Sequence, residues 1–559
     1  MSASGRNDES APNPENPGAA ASRRGTAALI GLCWLALLLR AMFAARSGVW
    51  ADEGQFLQVL RLPTTGAMIE FLRFHESHPP LFYLLMRAWQ AVFGPAEMMA
   101  RIPPILIGVV LVPTTYWMGS RMFGRRAGMI AAVLTAASTT LVMFSATVRP
   151  YSLTPLLCLA SCYALWRGLA VGGVKPWGAY VGVTLALLFS HNWGWLVLAG
   201  QWVASGAWFL AHGRRMPGAA IRQWVLSQLA VAVGYAPWLP VLLFQTRHAG
   251  HGSAPGVTFG YTLDFFLETT TSLPKWGAVA VLTALVGAAF LRRLRGTGAA
   301  ATALTEDRRR ALFIVIGVPL GALPLAFVIS TRTNVVLHHC IVTLAPCVVL
   351  AMSYGIARLS PPRRRLLPVL ATAGLAALYL VEAFVLSRQI RSNVRELAAT
   401  IAQQAHPDDL IVIAPGWFAP VFNYYYRGAN PQIQFPAEDD RGPTRFDDSW
   451  LRMADPSTMA RIRQRLLRAH AERRRIWLVM EHRMINDGVL GSDTLVEGSR
   501  RMPIMKLGLL RANQLRRLLI DSYGPADTST VPPDQRGGGE SLDAMLFAPG
   551  RDHQEPGSR

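Results

Sequence analysis

Two adjacent carboxylates, Asp52 and Glu53, follow the first long apolar run of this 559-residue chain. The run His78-Pro79-Pro80-Leu81 comes after them, before the next apolar run. A positioned carboxylate can take a proton from an attacking hydroxyl, which typically speeds a reaction about 10²- to 10⁴-fold. A like charge beside it is expected to raise its pKa. Since neighbours in an extended segment point to opposite sides, we expect one of the two carboxylates to act.

The elements that position these carboxylates belong to an α-helical polytopic membrane protein. The chain is 51% hydrophobic and 16% charged, which is too apolar for an ordinary soluble protein. A membrane span needs about 20 mostly apolar residues, and by that length the sequence offers about 11 transmembrane helices. They are predicted near residues 26–45, 102–119, 127–145, 152–169, 177–190, 193–211, 223–243, 274–291, 311–330, 340–357 and 366–386.

Charge predicts how these spans are oriented. The formal charge of +21 comes largely from Arg clusters between apolar runs, so topology explains it and no nucleic-acid partner is expected. With the N-terminus inside, the basic clusters all fall on the cytoplasmic side, as the positive-inside rule requires. The large loop 46–100, which carries Asp52 and Glu53, then faces the periplasm. The short stretch 79–93 begins with two prolines and is predicted to be an interfacial helix.

The two ends of the chain differ from the membrane domain, residues 26–386. Residues 1–25 are rich in Pro, Ser, Gly, Asn and Ala, which predicts a disordered cytoplasmic tail; a cleaved signal peptide is the alternative. Residues 387–559 are predicted to form a soluble periplasmic α/β domain. Its strands are expected at 410–414, 476–480 and 543–547, and its helices at 391–405 and 457–470.

Metal-binding residue types are present, but their spacing is not that of a known zinc site. Several histidines fall on the predicted outer side, and Glu76 could join them, so a divalent metal is a candidate cofactor, and no cofactor is assigned. The five cysteines lie inside apolar runs. Cys158 and Cys162 share a helix face and are predicted to be small buried hydrophobes rather than ligands. The outer-side histidines are His75, His78, His191, His248, His251, His338 and His339.

Several polar motifs occur in a recognisable order. Asp52-Glu53 in a long outer loop is followed by His78-Pro79-Pro80-Leu81-Phe82-Tyr83, Arg101 at the head of a span, Arg149-Pro150-Tyr151-Ser152-Leu153, and His191. This arrangement resembles the membrane glycosyltransferases of the GT-C fold, in particular the protein O-mannosyltransferase-like and lipid A aminoarabinose transferase-like families. The resemblance is best over residues 26–200 and only architectural in the final domain.

The resemblance implies transfer of a sugar from a polyprenyl-phosphate carrier to a lipid, glycan or protein acceptor at the outer face of the cytoplasmic membrane, and we expect an inverting enzyme. In those families the acidic residue of the first outer loop is taken as the catalytic base, here Asp52 with Glu53 beside it. The departing phosphate needs cations nearby. The candidate substrate-binding residues are Arg149, Tyr151, His78, Arg101, His191, Arg332, His338 and His339.

Structural alternatives stand beside these assignments. Asp52 could cap a helix or pair with Arg46. Arg149 suits a phosphate because its planar guanidinium binds two oxygens, but an arginine at the end of a span is also a common interfacial anchor. The same ambiguity applies to Arg101. Relatives often carry an Arg-Tyr pair where this chain has His338-His339, which leaves the identity of the phosphate-binding residue open.

Two other functions compete with glycosyl transfer. A transporter or flippase of lipid-linked sugars would also use many spans and buried arginines, but it would be expected to have a midplane site between matched halves. This chain instead places its polar groups in outer loops and ends in a soluble domain. A non-catalytic relative acting as a scaffold is the third possibility, because the Arg-Tyr pair is missing.

Overall fold

The first helix begins earlier than the sequence predicts. In the computed structural model of the protein, α1 spans Pro17–Arg46, so the last nine residues of the predicted tail are helical. Alanines follow Pro17, and proline is well tolerated at a helix start. The structure describes residues 17–213, 217–248, 258–274, 277–279, 281, 305–331, 337–359, 366–388, 392–437, 443–481, 504–526 and 542–549. Residues 1–16 of the predicted tail lie outside these ranges.

Three helices after α1 lie outside the membrane bundle and lead back into it. They are α2 (Ala51–Leu60), α3 (Thr65–Phe74) and α4 (Leu81–Phe93). A helix of 13 residues such as α4 is about 20 Å long, which is too short to cross a bilayer. The helical part of the predicted interfacial segment is therefore confirmed.

The bundle itself continues from α5 to α17. Its helices are α5 (Glu97–Phe123), α6 (Arg125–Ala137), α7 (Thr139–Ser145), α8 (Leu153–Val171), α9 (Val174–Ser190), α10 (Gly194–His212), α11 (Gly218–Tyr235), α12 (Leu239–His248), α13 (Phe259–Thr271), α14 (Glu306–Ser330), α15 (His338–Ile341), α16 (Ala345–Ala357) and α17 (Leu366–Ser387). Ser138 separates α6 from α7, and its hydroxyl accepts the Leu141 backbone N–H at 3.4 Å, which caps the second segment.

Among the described residues, seven helices are long and apolar enough to cross a membrane. Nine spans result when α6 with α7 and α11 with α12, bent by 57° and 70°, are each counted as one. The predicted run 177–190 falls on the shorter apolar helix α9, and most of the run 274–291 lies outside the described residues. A multi-pass helical membrane protein is thus confirmed, while the count of 11 spans stays a prediction.

Small residues bring the bundle helices close together. A Cβ on Gly200 of α10 would come within 2.2 Å of the backbone oxygen of Val318 on α14. A Cβ on Gly128 of α6 would lie 2.6 Å from the backbone oxygen of Tyr116 on α5. Because lipid tails are as apolar as the side chains, close backbone packing of this kind holds membrane helices together.

After α17 the chain forms a small α/β domain, as predicted. Its elements are α18 (Val394–Gln404), β1 (Leu410–Ile413), α19 (Ala419–Tyr425), β2 (Gln432–Gln434), α20 (Phe446–Ala454), α21 (Pro456–Ala471), β3 (Ile476–Glu481), α22 (Ile504–Tyr523) and β4 (Leu542–Phe547). The four strands pair in the order β2-β1-β3-β4, with β1 parallel to β2 and β3, and β4 antiparallel to β3. The sequence predicted β1, β3, β4, α18 and α21, but it did not predict β2, α19, α20 or α22.

The C-terminal domain packs directly on α2. Gly54 lies so close to α19 that a Cβ there would come within 2.5 Å of the Cα of Val421. The side-chain amide of Gln55 exchanges two hydrogen bonds with the backbone of Thr444, at 2.9 and 2.8 Å. Gln58 donates to the backbone oxygen of Pro420 at 3.3 Å. The helix that carries the two carboxylates is therefore held between the bundle and the domain.

Candidate functional site

Asp52 and Glu53 occupy the first turn of α2, not an extended segment as the sequence analysis assumed. Successive residues of a helix point about 100° apart, because a turn takes 3.6 residues. The two carboxylates consequently enter different surroundings. The Asp52 side chain is 26% exposed, whereas the Glu53 side chain is fully buried.

Asp52 receives hydrogen bonds from two residues of the turn between α7 and α8. A guanidinium nitrogen of Arg149, Nη2, donates to Asp52 Oδ1, and the Tyr151 hydroxyl donates to Oδ2 at 2.6 Å. The second terminal nitrogen of Arg149 donates to the Tyr83 hydroxyl at 3.2 Å. Arg149 is only 2% exposed, so it is a buried partner of Asp52 and not an anchor reaching the membrane surface. Asp52 does not pair with Arg46.

The charges of this group are fixed by their neighbours. Burial raises the pKa of Asp52, but the charge and hydrogen bond of Arg149 outweigh burial and hold this pKa well below its usual range. The expected rise in the Asp52 pKa is therefore not found, and this pKa is lowered overall. Burial and the Asp52 charge raise the pKa of Tyr151, which keeps its hydroxyl proton available as a donor. Asp52 is ionised at neutral pH.

Three of the predicted histidines surround this pair. The His339 ring stacks on Tyr151 with a centroid separation of 4.8 Å, and the His191 ring lies 6.2 Å from Tyr151. The His78 ring lies 5.1 Å from that of His191. His78 Nδ1 is in turn 3.0 Å from Glu76 Oε1, which orients the imidazole. Residues far apart in sequence thus converge on one polar cluster at the end of the bundle next to α2.

Two buried N–H groups in this cluster have no acceptor among the described residues. One is Nε of Arg149. The other is Nε2 of His191: its Nδ1 accepts the Trp193 backbone N–H at 3.1 Å, so the ring proton of the neutral form is on Nε2. Burial, and next the nearby His78, lower the pKa of His191 well below its usual value, so the ring is neutral. Unsatisfied buried donors of this kind suit an incoming anion.

Glu53 lies behind this cluster and is enclosed by other residues. Both of its oxygens contact Arg101, at 3.1 and 3.4 Å, and the Val148 backbone N–H donates to Oε1 at 2.6 Å. Arg101 also donates to the backbone oxygens of Ser47 and Ala146, at 3.1 and 2.7 Å. Glu53 and Arg101 are both 0% exposed. Through these contacts they join the chain segment before Asp52 to the segment before Arg149.

The remaining predicted residues are placed elsewhere. His338 Nδ1 is 2.6 Å from the Thr269 hydroxyl, and its ring stacks on Phe265 at 3.7 Å, so it contacts α13 instead of the Asp52 cluster. Arg332 lies outside the described residues. Tyr83 was not assigned a role from the sequence, although it stands in the same run as His78.

A metal at this cluster remains a prediction. In the described part of the chain, the grouping whose ligand atoms all lie within 4.8 Å of one another is Cys158, Cys162 and Cys347. These three thiols are buried between α8 and α16, away from the carboxylates. Cys347 was not expected beside the other two. Their burial fits the prediction that Cys158 and Cys162 behave as small buried hydrophobes.

Comparisons with known proteins agree with this architecture. Residues 77–242 match the family model of dolichyl-phosphate-mannose-protein mannosyltransferases. The crystal structure of ArnT from Cupriavidus metallidurans in the apo state has a TM-score of 0.56 and 13% identity, covering 84% of this chain and 95% of that chain. The same ArnT bound to undecaprenyl phosphate has a TM-score of 0.53 and 12% identity, covering 84% and 94%. A search of curated proteins found no match.

At such low identity the likeness to ArnT establishes the fold alone. It covers 84% of this chain. The family model adds a sequence match from α4 to the start of α12, the region that holds Tyr83, Arg149 and His191. The expected resemblance is therefore confirmed: this chain has the GT-C fold of membrane glycosyltransferases.

Proposed function

We propose that the protein is an inverting glycosyltransferase that uses a polyprenyl-phosphate-linked sugar as donor. The observation that carries this proposal is the contact of Asp52 with Arg149 and Tyr151 at a partly exposed position. A base and a phosphate-binding cation are the two groups that glycosyl transfer from a phosphate carrier requires. Here they lie in hydrogen-bond contact, on a fold shared with an ArnT structure that holds undecaprenyl phosphate.

In this mechanism the oxygen of the acceptor hydroxyl attacks the anomeric carbon, and Asp52 accepts the proton of that hydroxyl. The bond from that carbon to the carrier phosphate oxygen breaks on the opposite face, and its electron pair leaves with polyprenyl phosphate. Inversion at the anomeric carbon follows from this single displacement. Asp52 is ionised before substrate binds, so it can accept the proton.

Arg149 is proposed to change partner when the donor binds. A phosphate competes with Asp52 for the guanidinium, because Arg binds phosphate through two parallel hydrogen bonds. The unpaired Nε of Arg149 and Nε2 of His191 provide further hydrogen-bond donors for the phosphate oxygens. Asp52 loses a cationic partner in the exchange, and its pKa then rises toward a value better suited to a base. Substrate binding would thus activate the base.

The site is proposed to lie at the outer face of the cytoplasmic membrane, with the C-terminal domain in the periplasm. Basic residues mark the other end of the bundle: Arg125 lies near Gly25 in the N-terminal part of α1, and Arg310 lies near the start of α14. The positive-inside rule assigns that end to the cytoplasm. The proposed acceptor is a lipid, glycan or protein that approaches from the periplasm.

A transporter of lipid-linked sugars is disfavoured by the position of the charges. Transporter sites lie near the bilayer midplane, whereas Asp52 lies on α2, beyond the end of α1. The test of the proposal is a transfer assay in detergent with undecaprenyl-phosphate-linked sugars, mannose first, and extracted envelope lipids or proteins as acceptors. We expect a product whose anomeric configuration, read by NMR, is opposite to that of the donor. Retention of configuration, or no transfer with any donor and acceptor, would contradict it.

A further inference from the structure

Glu97, at the start of α5, connects the C-terminal domain to the residues that hold the site together. One carboxylate oxygen, Oε1, accepts a hydrogen bond from Arg101 at 3.4 Å. The other, Oε2, accepts from Arg395 at 2.8 Å and from the Tyr425 hydroxyl at 3.1 Å. Arg395 and Tyr425 lie on α18 and α19 of the C-terminal domain. A single carboxylate therefore contacts the bundle through one oxygen and the domain through the other.

A second contact links the same domain residues to the segment before Asp52. The Tyr425 hydroxyl accepts the backbone N–H of Val49 at 2.9 Å while it donates to Glu97. The Arg395 guanidinium lies over the Tyr425 ring, 5.3 Å from its centroid. The domain thus fixes the backbone three residues before Asp52 and, through Glu97, the orientation of Arg101.

Arg101 in turn fixes both segments that carry the reacting groups. It contacts the backbone of Ser47, on the Asp52 side, and of Ala146, on the Arg149 side. A shift of Arg101 would therefore change the separation of Asp52 from Arg149. A misplacement of about 1 Å in a catalytic site can reduce the rate about 100-fold.

We propose that Glu97 is a positioning residue through which the docked C-terminal domain, by way of Arg395 and Tyr425, holds Asp52 and Arg149 at their working separation. This inference rests on the proposed glycosyl transfer at that pair. Turnover by the membrane domain then depends on the contact between the two domains. The C-terminal domain then acts as part of the catalytic apparatus.

An acid in the first turn of a helix is favourable on electrostatic grounds alone. That effect needs no partner, yet Glu97 has three, drawn from α5, α18 and α19. The ion pair of Glu306 with Arg310, at 3.0 Å on α14, is the useful contrast because it joins residues of one helix at the other end of the bundle. Glu306→Gln is therefore the matched control for Glu97→Gln.

The experiment compares kcat and KM of four full-length variants in the transfer assay with an undecaprenyl-phosphate-linked sugar: Glu97→Gln, Arg395→Gln, Arg395→Lys and Glu306→Gln. We expect Glu97→Gln and Arg395→Gln each to lower kcat about 10- to 100-fold, with KM for the donor changed less than about threefold. Arg395→Lys keeps the charge and should restore most of kcat. Glu306→Gln should match the wild type. The double variant Glu97→Gln/Arg395→Gln should have a kcat no lower than that of the slower single variant, since the two residues act as one unit.

If Glu97→Gln fails to fold, the Arg395 variants still test the proposal. The Arg395 side chain is 51% exposed, so its replacement leaves the core intact. Wild-type kcat in Arg395→Gln, with Asp52→Asn inactive, would overturn the positioning role and leave the proposed function standing. Wild-type turnover by Asp52→Asn would instead overturn the proposed function. Equal losses in kcat and in thermal stability for Arg395→Gln and Arg395→Lys would also overturn the inference, because they would indicate a role in folding alone.

Discussion

Arg149 lies directly against Asp52, although the two are 97 positions apart in the sequence. One stands at the start of α2 and the other in the turn between α7 and α8. Tyr151 binds the second carboxylate oxygen, so Asp52 is held by two residues of the same turn. This arrangement gives a carboxylate that is ionised before any substrate arrives.

Replacing Arg149 should weaken binding of the carrier phosphate. Arg149→Lys keeps a positive charge but loses the planar pair of N–H donors, and we expect about 10-fold weaker binding of undecaprenyl phosphate. Arg149→Ala should weaken it about 100-fold. Binding is measured by titration of the detergent-solubilised protein with undecaprenyl phosphate. Arg46→Ala, an exposed arginine near the same end of the bundle, is the control and should bind normally. Equal affinity of all three variants would contradict the assignment.

His191 should act as a neutral hydrogen-bond donor. Its lowered pKa means that its charge does not change between about pH 6 and pH 8, so affinity for undecaprenyl phosphate should show no His191-dependent change over that interval. His191→Gln retains an N–H donor and should keep most of the affinity, whereas His191→Phe should lose about 10-fold. A pH profile of binding for the wild type and both variants checks this. Full affinity in His191→Phe would remove the residue from the binding site.

Breaking the buried pair behind the site should destabilise the protein. Glu53→Gln removes the carboxylate that contacts both terminal nitrogens of the buried Arg101 and leaves it, among the described carboxylates, only the Glu97 oxygen at 3.4 Å. Loss of one partner of a buried ion pair costs about 3 to 5 kcal/mol. Thermal unfolding in detergent should show a clear fall in the midpoint. The double variant Glu53→Leu/Arg101→Met removes both charges and should recover part of the loss. An unchanged midpoint in Glu53→Gln would contradict the structural role of the pair.

The ion pair of Asp52 should make stability depend on acid pH. A carboxylate whose pKa is lowered on folding contributes stability above its unfolded pKa, which is about 3.9, and loses it as the pH falls toward the folded pKa. The difference in unfolding midpoint between wild type and Asp52→Asn should therefore be constant from about pH 5 to pH 7 and shrink below about pH 4. A difference in unfolding midpoint that grows as the pH falls would contradict this prediction.

The sequence predicts much of this architecture because membrane topology is strongly constrained. Apolar runs and Arg clusters together predict that the loop of Asp52 and the turns of Arg149 and His191 share one end of the bundle. In the structure these three segments do lie at one end of the bundle. The small sheet was likewise detectable from short apolar strands next to helical segments.

The finer division of roles could not be predicted in this way. Whether Asp52 or Glu53 faces the cluster depends on where α2 begins, and no strong capping residue precedes it at Trp50. The contact of Glu97 with Arg395 joins residues 298 apart, for which sequence periodicity gives no signal. Buried pairs of this kind become visible only when the packed fold is known.

The most direct test of the account is single-turnover transfer by Asp52→Asn with a saturating undecaprenyl-phosphate-linked sugar and acceptor. The amide keeps the size of the side chain but accepts no proton, so we expect the rate to fall at least about 100-fold while undecaprenyl phosphate still binds. Glu306→Gln should transfer at the wild-type rate. Transfer by Asp52→Asn at the wild-type rate would contradict the assignment of Asp52 as the base.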